Sequence, residues 1–129
     1  HAPPHTAPFI EEQLRTHGWP DLDWARLGVQ YGYQRDEFER LFPPESFESY
    51  EQWRDATQRY QSHVLKTQIE TLRRLKYRPS GGFCFYALAD PAPVISASIL
   101  DHERIPKDAF AVVQAACAPV LVVAEHPPE

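Results

Sequence analysis

Residues 49–90 carry the strongest structural signal in this chain and read SYEQWRDATQRYQSHVLKTQIETLRRLKYRPSGGFCFYALAD. From Ser49 to Lys76, apolar side chains recur at steps of three to five, which places them on one side of a helix. Ser49 followed by Gln52 resembles a capping box at the start of this helix, and the pair Gly81-Gly82 lies beyond its end. The apolar face comprises Trp53, Ala56, Tyr60, Val64, Ile69, Leu72 and Leu75.

The segments that follow favour alternating strands and helices. Phe83–Leu88 is a short, continuous apolar run, the pattern of a strand that is buried on both faces in a parallel sheet. Val94–Leu100 is apolar and predicts a second extended piece, and Pro106 suits the first position of a helix that ends before Pro119. Val120–Ala124 predicts one more strand. The pattern therefore indicates an α/β protein or a piece of one.

The amino-terminal third predicts short helices. Apolar and charged residues alternate from Phe9 to Pro44 without one sustained period. Within that region either Asp21 or Asp23 can cap a helix from Trp24 to about Tyr33, because a short carboxylate accepts hydrogen bonds from the amides of a first turn.

Composition excludes several classes of protein. The 129 residues are 43% hydrophobic and 24% charged, which is a globular composition. A net charge of -5 supplies no field to attract nucleic acid or anionic lipid, and no apolar run approaches the length of a membrane span. Cys84 and Cys117 match no disulfide or metal motif and are expected to be buried thiols. The chain contains no methionine, so a fragment of a longer protein is expected.

Two polar groups follow the predicted strands and are candidates for chemistry. Asp90 comes directly after Phe83–Leu88, where residues of βα architectures line the ligand cleft. The alternative for Asp90 is a cap on the Asp90-Pro91 turn. Asp101, His102 and Glu103 are adjacent in a predicted polar turn and could act as acid and base, although such turns are more often only solvated. No metal site and no cofactor are expected.

An ordered set of short motifs resembles the end of the catalytic domain in glycoside hydrolase family 2, closest to its β-mannosidase-like branch. The motifs cover about half of the chain, and their order and spacing are more specific than any one of them. They are Tyr60-Gln61, Ile69-Glu70-Thr71-Leu72-Arg73-Arg74, Gly81-Gly82-Phe83, Leu88-Ala89-Asp90, Pro93-Val94-Ile95-Ser96, Leu100-Asp101, Pro106-Lys107 and Ala118-Pro119-Val120. The segment Trp19-Pro20-Asp21-Leu22-Asp23-Trp24 is also similar to a stretch in some of these proteins.

The resemblance implies a partial (β/α)8 TIM barrel, comprising its last helices and strand eight, that leads into a β-sandwich strand. Residues 1–8 would be a disordered tail or connector, 9–118 the barrel end, and 119–129 the start of the β-sandwich domain. A whole barrel needs about 250 residues, so the chain would be part of an enzyme.

The family hydrolyses β-glycosides by a retaining mechanism with two glutamates about 5 to 5.5 Å apart. No glutamate here matches either motif, so no catalytic residue is carried over to this chain. Most of the aromatic and amide residues that the family carries at strand eight are replaced, which leaves Tyr86 and Asp90 as the expected substrate-binding residues. The implied partners are a carbohydrate substrate and the remainder of the barrel. A non-catalytic carbohydrate-binding or assembly module is the alternative.

Overall fold

The computed structural model describes residues 7–124, and this part of the chain is mostly helical. About half of it, 53%, is helix, and only isolated bridge residues, 4%, have strand-like pairing. Five α-helices occur among these residues. They are α1 (Pro8–His17), α2 (Trp24–Tyr31), α3 (Arg35–Leu41), α4 (Tyr50–Arg74) and α5 (Asp108–Ala116), with a short 3-10 helix at Pro44–Ser46 before α4.

Local capping explains the two helices that the sequence predicts best. Asp23 precedes α2, and its side chain accepts a hydrogen bond from the Arg26 amide at 2.9 Å, which decides between the two aspartates considered above. Ser49 precedes α4 and accepts from the Gln52 amide at 3.3 Å. Gln52 does not close a capping box, because its side-chain oxygen accepts from the Glu48 amide instead.

An aromatic core holds the first half of the molecule together. Trp53 on α4 is buried and contacts the rings of Trp19, Trp24 and Tyr33. Each tryptophan indole donates a hydrogen bond to a main-chain carbonyl, so no indole N–H of this core is left unpaired. The buried members of the core are Ile10, Leu22, Leu27, Tyr33, Tyr50 and Trp53.

The second half is built on the other end of the long helix. Helix α5 packs along α4 and runs in the same direction, because its first amide (Asp108) donates to Gln58 and its last carbonyl (Ala116) accepts from Arg73. The Arg73 guanidinium also donates to the carbonyl of Ala118 at 2.6 Å. One side chain of α4 therefore fixes the carboxyl end of α5.

The expected barrel segment and β-sandwich strand are wrong, since residues 7–124 contain no sheet. Phe83–Leu88 and Val120–Ala124 have strand-like composition, but they form neither helix nor strand. The physical reason is that a strand needs a continuous hydrogen-bonded neighbour, and among residues 7–124 the two segments have one main-chain hydrogen bond, which the Leu88 carbonyl accepts from the Leu100 amide. Val94–Leu100 likewise pairs only at Leu100, through single bridges to Ala89 and Pro106.

Three smaller expectations also need correction or limits. Helix α5 begins at Asp108, and Pro106 lies in the preceding bridge rather than at the first helical position. Cys84 and Cys117 are exposed rather than buried. Of the predicted tail at residues 1–8, the structure describes Ala7 and Pro8, and Pro8 is the first residue of α1; residues 1–6 and 125–129 lie outside the described part. No helix in the described chain is both long and apolar enough to cross a bilayer.

Candidate functional site

Asp90 lies at the centre of a cluster of polar side chains that is largely buried. We call it the Asp90 cluster, formed by Asp90, Ser96, Ser98, Arg104 and Lys107. The Asp90 side chain is only 4% exposed, and both of its oxygens are engaged. One oxygen accepts from the Ser96 hydroxyl at 2.5 Å, and the other accepts from the Lys107 ammonium at 3.1 Å. The carboxylate is therefore fixed in position.

Lys107 links the two serines to the aspartate. Its ammonium donates to the Ser98 hydroxyl oxygen at 2.9 Å and to the Ser96 carbonyl at 3.4 Å, in addition to Asp90. Three partners use the full donor capacity of an ammonium group. Arg104 completes the cluster by donating to the Asp90 carbonyl at 3.1 Å.

Single bridges in the main chain bring these residues together. The Asp90 amide donates to the Leu100 carbonyl, and the Lys107 amide donates to the Ile99 carbonyl. The turn between them is closed by Asp101, whose carboxylate accepts from the amides of Glu103 and Ile105 at 2.8 Å each. Asp101 thus acts as a turn residue, rather than as a group that faces a reacting molecule.

The electrostatics of the cluster keep Asp90 ionised. Burial alone would raise the pKa of its carboxyl group, but the hydrogen bonds from Ser96 and Lys107 and the positive charge of Lys107 outweigh burial. The net result is a pKa below the usual 3.8. A carboxylate of this kind is a poor general acid at neutral pH, because catalysis needs a pKa near the working pH.

Tyr86, in contrast to the buried Asp90, lies on the surface. Its side chain is 95% exposed, and it makes no ring contact or hydrogen bond with the described residues. The segment around it alternates in exposure: Cys84, Tyr86 and Leu88 face outward, and the residues between them are partly buried. The phenol ring is therefore freely presented to a ligand.

The two predicted substrate-binding residues thus differ in access. Tyr86 is exposed to solvent, whereas Asp90 is buried and its oxygens are already bonded, and the assignment of both as sugar ligands stays a prediction. Sequence reasoning missed Ser96, Ser98 and Lys107 as partners of Asp90. The sequence contains a weak signal for these partners, since Ser96 and Ser98 interrupt an otherwise apolar run and Lys107 follows a proline.

Other chemistry finds little support in the described chain. Residues 7–124 hold no group of three or more His, Cys, Asp or Glu side chains that could bind a metal ion. A shallow groove of about 380 Å³ lies between the end of α4 and the segment after α5, with Arg73, Phe83 and Pro119 among its walls. It adjoins neither Asp90 nor Tyr86.

Comparison with known proteins finds no matching family model, no similar curated protein and no similar solved structure. The arguments for function therefore rest on the residues themselves.

Proposed function

We propose that this chain is the non-catalytic, sugar-contacting part of a β-glycosidase similar to the β-mannosidase-like branch of glycoside hydrolase family 2. The observation that supports the proposal is the almost complete exposure of Tyr86, four residues before a carboxylate whose position is fixed. The motif order from Tyr60 to Val120 is its second support. Catalytic glutamates would come from outside this chain.

The chemistry of an exposed tyrosine suits a sugar ring. Its aromatic face packs against the apolar C–H face of a pyranose, and its hydroxyl offers a hydrogen bond to a ring substituent. The Asp90 cluster serves this surface as a support: it anchors the chain directly after Leu88 and limits the movement of the segment that carries Tyr86. In this proposal Asp90 is a positioning residue.

The proposal is tested by ligand-observed NMR on the full 129-residue chain with methyl β-mannoside as the probe. Binding through one aromatic face is expected to be weak, with a dissociation constant on the order of 1 mM. Tyr86→Ala should abolish the saturation-transfer signal, and Tyr86→Phe should retain most of it.

Tyr77→Ala is the matched control, because Tyr77 is also strongly exposed but lies at the end of α4 beside Lys76. An equal loss of signal in the Tyr77 and Tyr86 variants, or an unchanged signal in Tyr86→Ala, would contradict the proposal. Turnover of an aryl β-mannoside by the chain alone would contradict its non-catalytic role.

The second candidate is an assembly module. The observation that favours it is the exposure of large apolar side chains in two segments, among them Leu88 in 83–88 and Val122 in 120–124.

A further inference from the structure

The groove between the end of α4 and the segment after α5 is rich in hydrogen-bond donors. We call it the α4–α5 groove. Its volume of about 380 Å³ lies within the range of small-molecule sites, about 300 to 1,000 Å³. The donors among its walls belong to Arg73, Lys76, Ser80, Gly81 and Gly82, and none of the described residues that line it is acidic.

The α4–α5 groove is locally positive, although the whole chain has a net charge of -5. Residues 71–89 contain no acidic residue and four basic ones, which are Arg73, Arg74, Lys76 and Arg78. The Lys76 ammonium lies 5.0 Å from the centroid of the Tyr77 ring, and it makes no ion pair with a residue of the described chain. No described carboxylate therefore neutralises its charge, and an anion in the groove is attracted by Lys76 and Arg73 together.

Arg73 keeps donors for a ligand after it has fixed the end of α5. A guanidinium group has five N–H donors. The carbonyls of Ala116, Ala118 and Pro119 accept three hydrogen bonds from Arg73, so two N–H groups have no acceptor among residues 7–124. These acceptors carry no formal charge, and Arg73 covers the carbonyl oxygens at the end of α5 that would repel an anion.

The turn after α4 adds uncharged donors to the groove. The Ser80 hydroxyl and the amides of Gly81 and Gly82 form no hydrogen bond with another residue of the described chain. A Cβ atom built on either glycine would meet no atom within 4 Å beyond its chain neighbours, so a ligand can approach this main chain closely. The Leu75 carbonyl at the end of α4 already accepts from the amides of Arg78 and Ser80 and does not compete for these donors.

We propose that the α4–α5 groove binds the phosphate group of a small phosphate monoester. A phosphate has three strong acceptor oxygens and close to two negative charges, which match a set of donors without an acid. A carboxylate has two oxygens and one charge and uses fewer of these donors. Phe83 is 41% exposed on the wall of the groove and offers an apolar surface to the organic part of the ester. The site is separate from Tyr86 and independent of sugar binding.

An amide chemical-shift titration of the isotope-labelled full chain with phenyl phosphate tests the site, at about 0.15 M salt to screen non-specific attraction. We expect saturable shifts at the amides of Gly81 and Gly82. Phenol, the matched probe without the phosphate, should shift these amides little, and inorganic phosphate should bind more weakly because it lacks the ring. No saturable shift at about 10 mM phenyl phosphate, or equal binding of phenol, would overturn the proposal. Inorganic phosphate that binds as tightly as phenyl phosphate would contradict a site for the ester.

Lys76→Gln should weaken the binding of phenyl phosphate about tenfold, because it removes a charged donor. Lys66→Gln is the matched control, since Lys66 lies on the same helix with its side chain 56% exposed and does not line the groove. The control should leave the affinity unchanged. Equal losses in the two variants would show a dependence on overall charge alone and would contradict the site.

Ser80→Ala is a second variant, and it leaves every charge of the groove in place. It should weaken binding about fivefold, because the phosphate loses one hydroxyl donor. Far-UV circular dichroism of each variant shows whether its helices remain, so a folding defect is separable from a lost contact. Unchanged affinity in both Lys76→Gln and Ser80→Ala would overturn the proposal.

Discussion

Lys107 is the residue on which the Asp90 cluster depends most. Among the described residues, its ammonium group is the positive charge that pairs with the buried Asp90 carboxylate, and it also donates to the Ser98 hydroxyl. Replacing both partners of a buried ion pair with apolar residues changes the stability of a protein little. Removing only one partner is costly, because the other charge is then buried and unpaired. The cost of a single substitution should therefore be large.

Lys107→Met should lower the free energy of unfolding by about 3 kcal/mol, because it leaves the Asp90 carboxylate buried without its cation. Urea denaturation followed by circular dichroism measures this loss. Arg35→Met is the control, since both members of the Arg35–Glu39 ion pair are exposed to solvent and its loss should cost much less. Similar losses in the two variants would contradict the role given to Lys107.

The same cluster predicts a dependence of stability on acid. The pKa of Asp90 is lower in the folded chain than its usual 3.8, so at pH values below about 4 the unfolded chain takes up the proton first. The stabilisation from Asp90 is therefore complete above that pH and is lost as pH falls through the folded pKa.

Asp90→Asn should remove this part of the acid dependence, because asparagine does not titrate in this range. Thermal unfolding of both proteins between pH 5 and about pH 2 measures the effect. Wild type should lose more stability over that interval than the variant. Parallel curves would show that Asp90 has the same pKa in both states.

At the scale of the elements, helices with local signals could be predicted and strands could not. The caps at Asp23 and Ser49 lie within four residues of the amides that they bind, so the sequence contains both partners. The amphipathic period likewise identifies α4, which runs from Tyr50 to Arg74 within the predicted Ser49–Lys76. Phe83–Leu88 has an equally strong apolar pattern, but a strand depends on a neighbour that local sequence does not specify.

The capping of α2 gives a prediction at this scale. Asp23→Ala should destabilise the protein by about 1 kcal/mol, because the Arg26 amide loses its side-chain acceptor. Asp21→Ala is the matched control: Asp21 is exposed, lies two residues earlier and does not cap the helix. Denaturant midpoints of the two variants make the comparison. A larger loss in Asp21→Ala would mean that the cap is assigned to the wrong aspartate.

The candidate site shows a similar division between local and distant information. Tyr86 and Asp90 are four residues apart in the sequence, and both were predicted to bind substrate. In the structure their exposure is opposite, since Tyr86 is exposed and Asp90 is buried. Partners of Asp90 lie up to 17 residues away at Lys107, and their approach depends on the bridges at Leu100. A contact between residues that far apart depends on closure of the loop between them, and no short sequence pattern identifies it.

At the scale of the whole molecule, residues 7–124 form a helical body with exposed apolar side chains in residues 83–88 and 120–124. The aromatic core around Trp53 and the α4–α5 pair account for the body. Tyr86 accounts for the surface that we assign to a sugar in the proposed function. The residues to which we assign the proposed function thus lie in the least regular part of the described chain.

The most direct test of the proposed function is an amide chemical-shift titration of the isotope-labelled chain with methyl β-mannoside. We expect the shifts to concentrate on residues 84–89 around Tyr86, with little change at Tyr77 or in the core around Trp53. Shifts that are absent from residues 84–89, or that spread evenly over the exposed aromatic side chains, would contradict the sugar-contacting role of this chain.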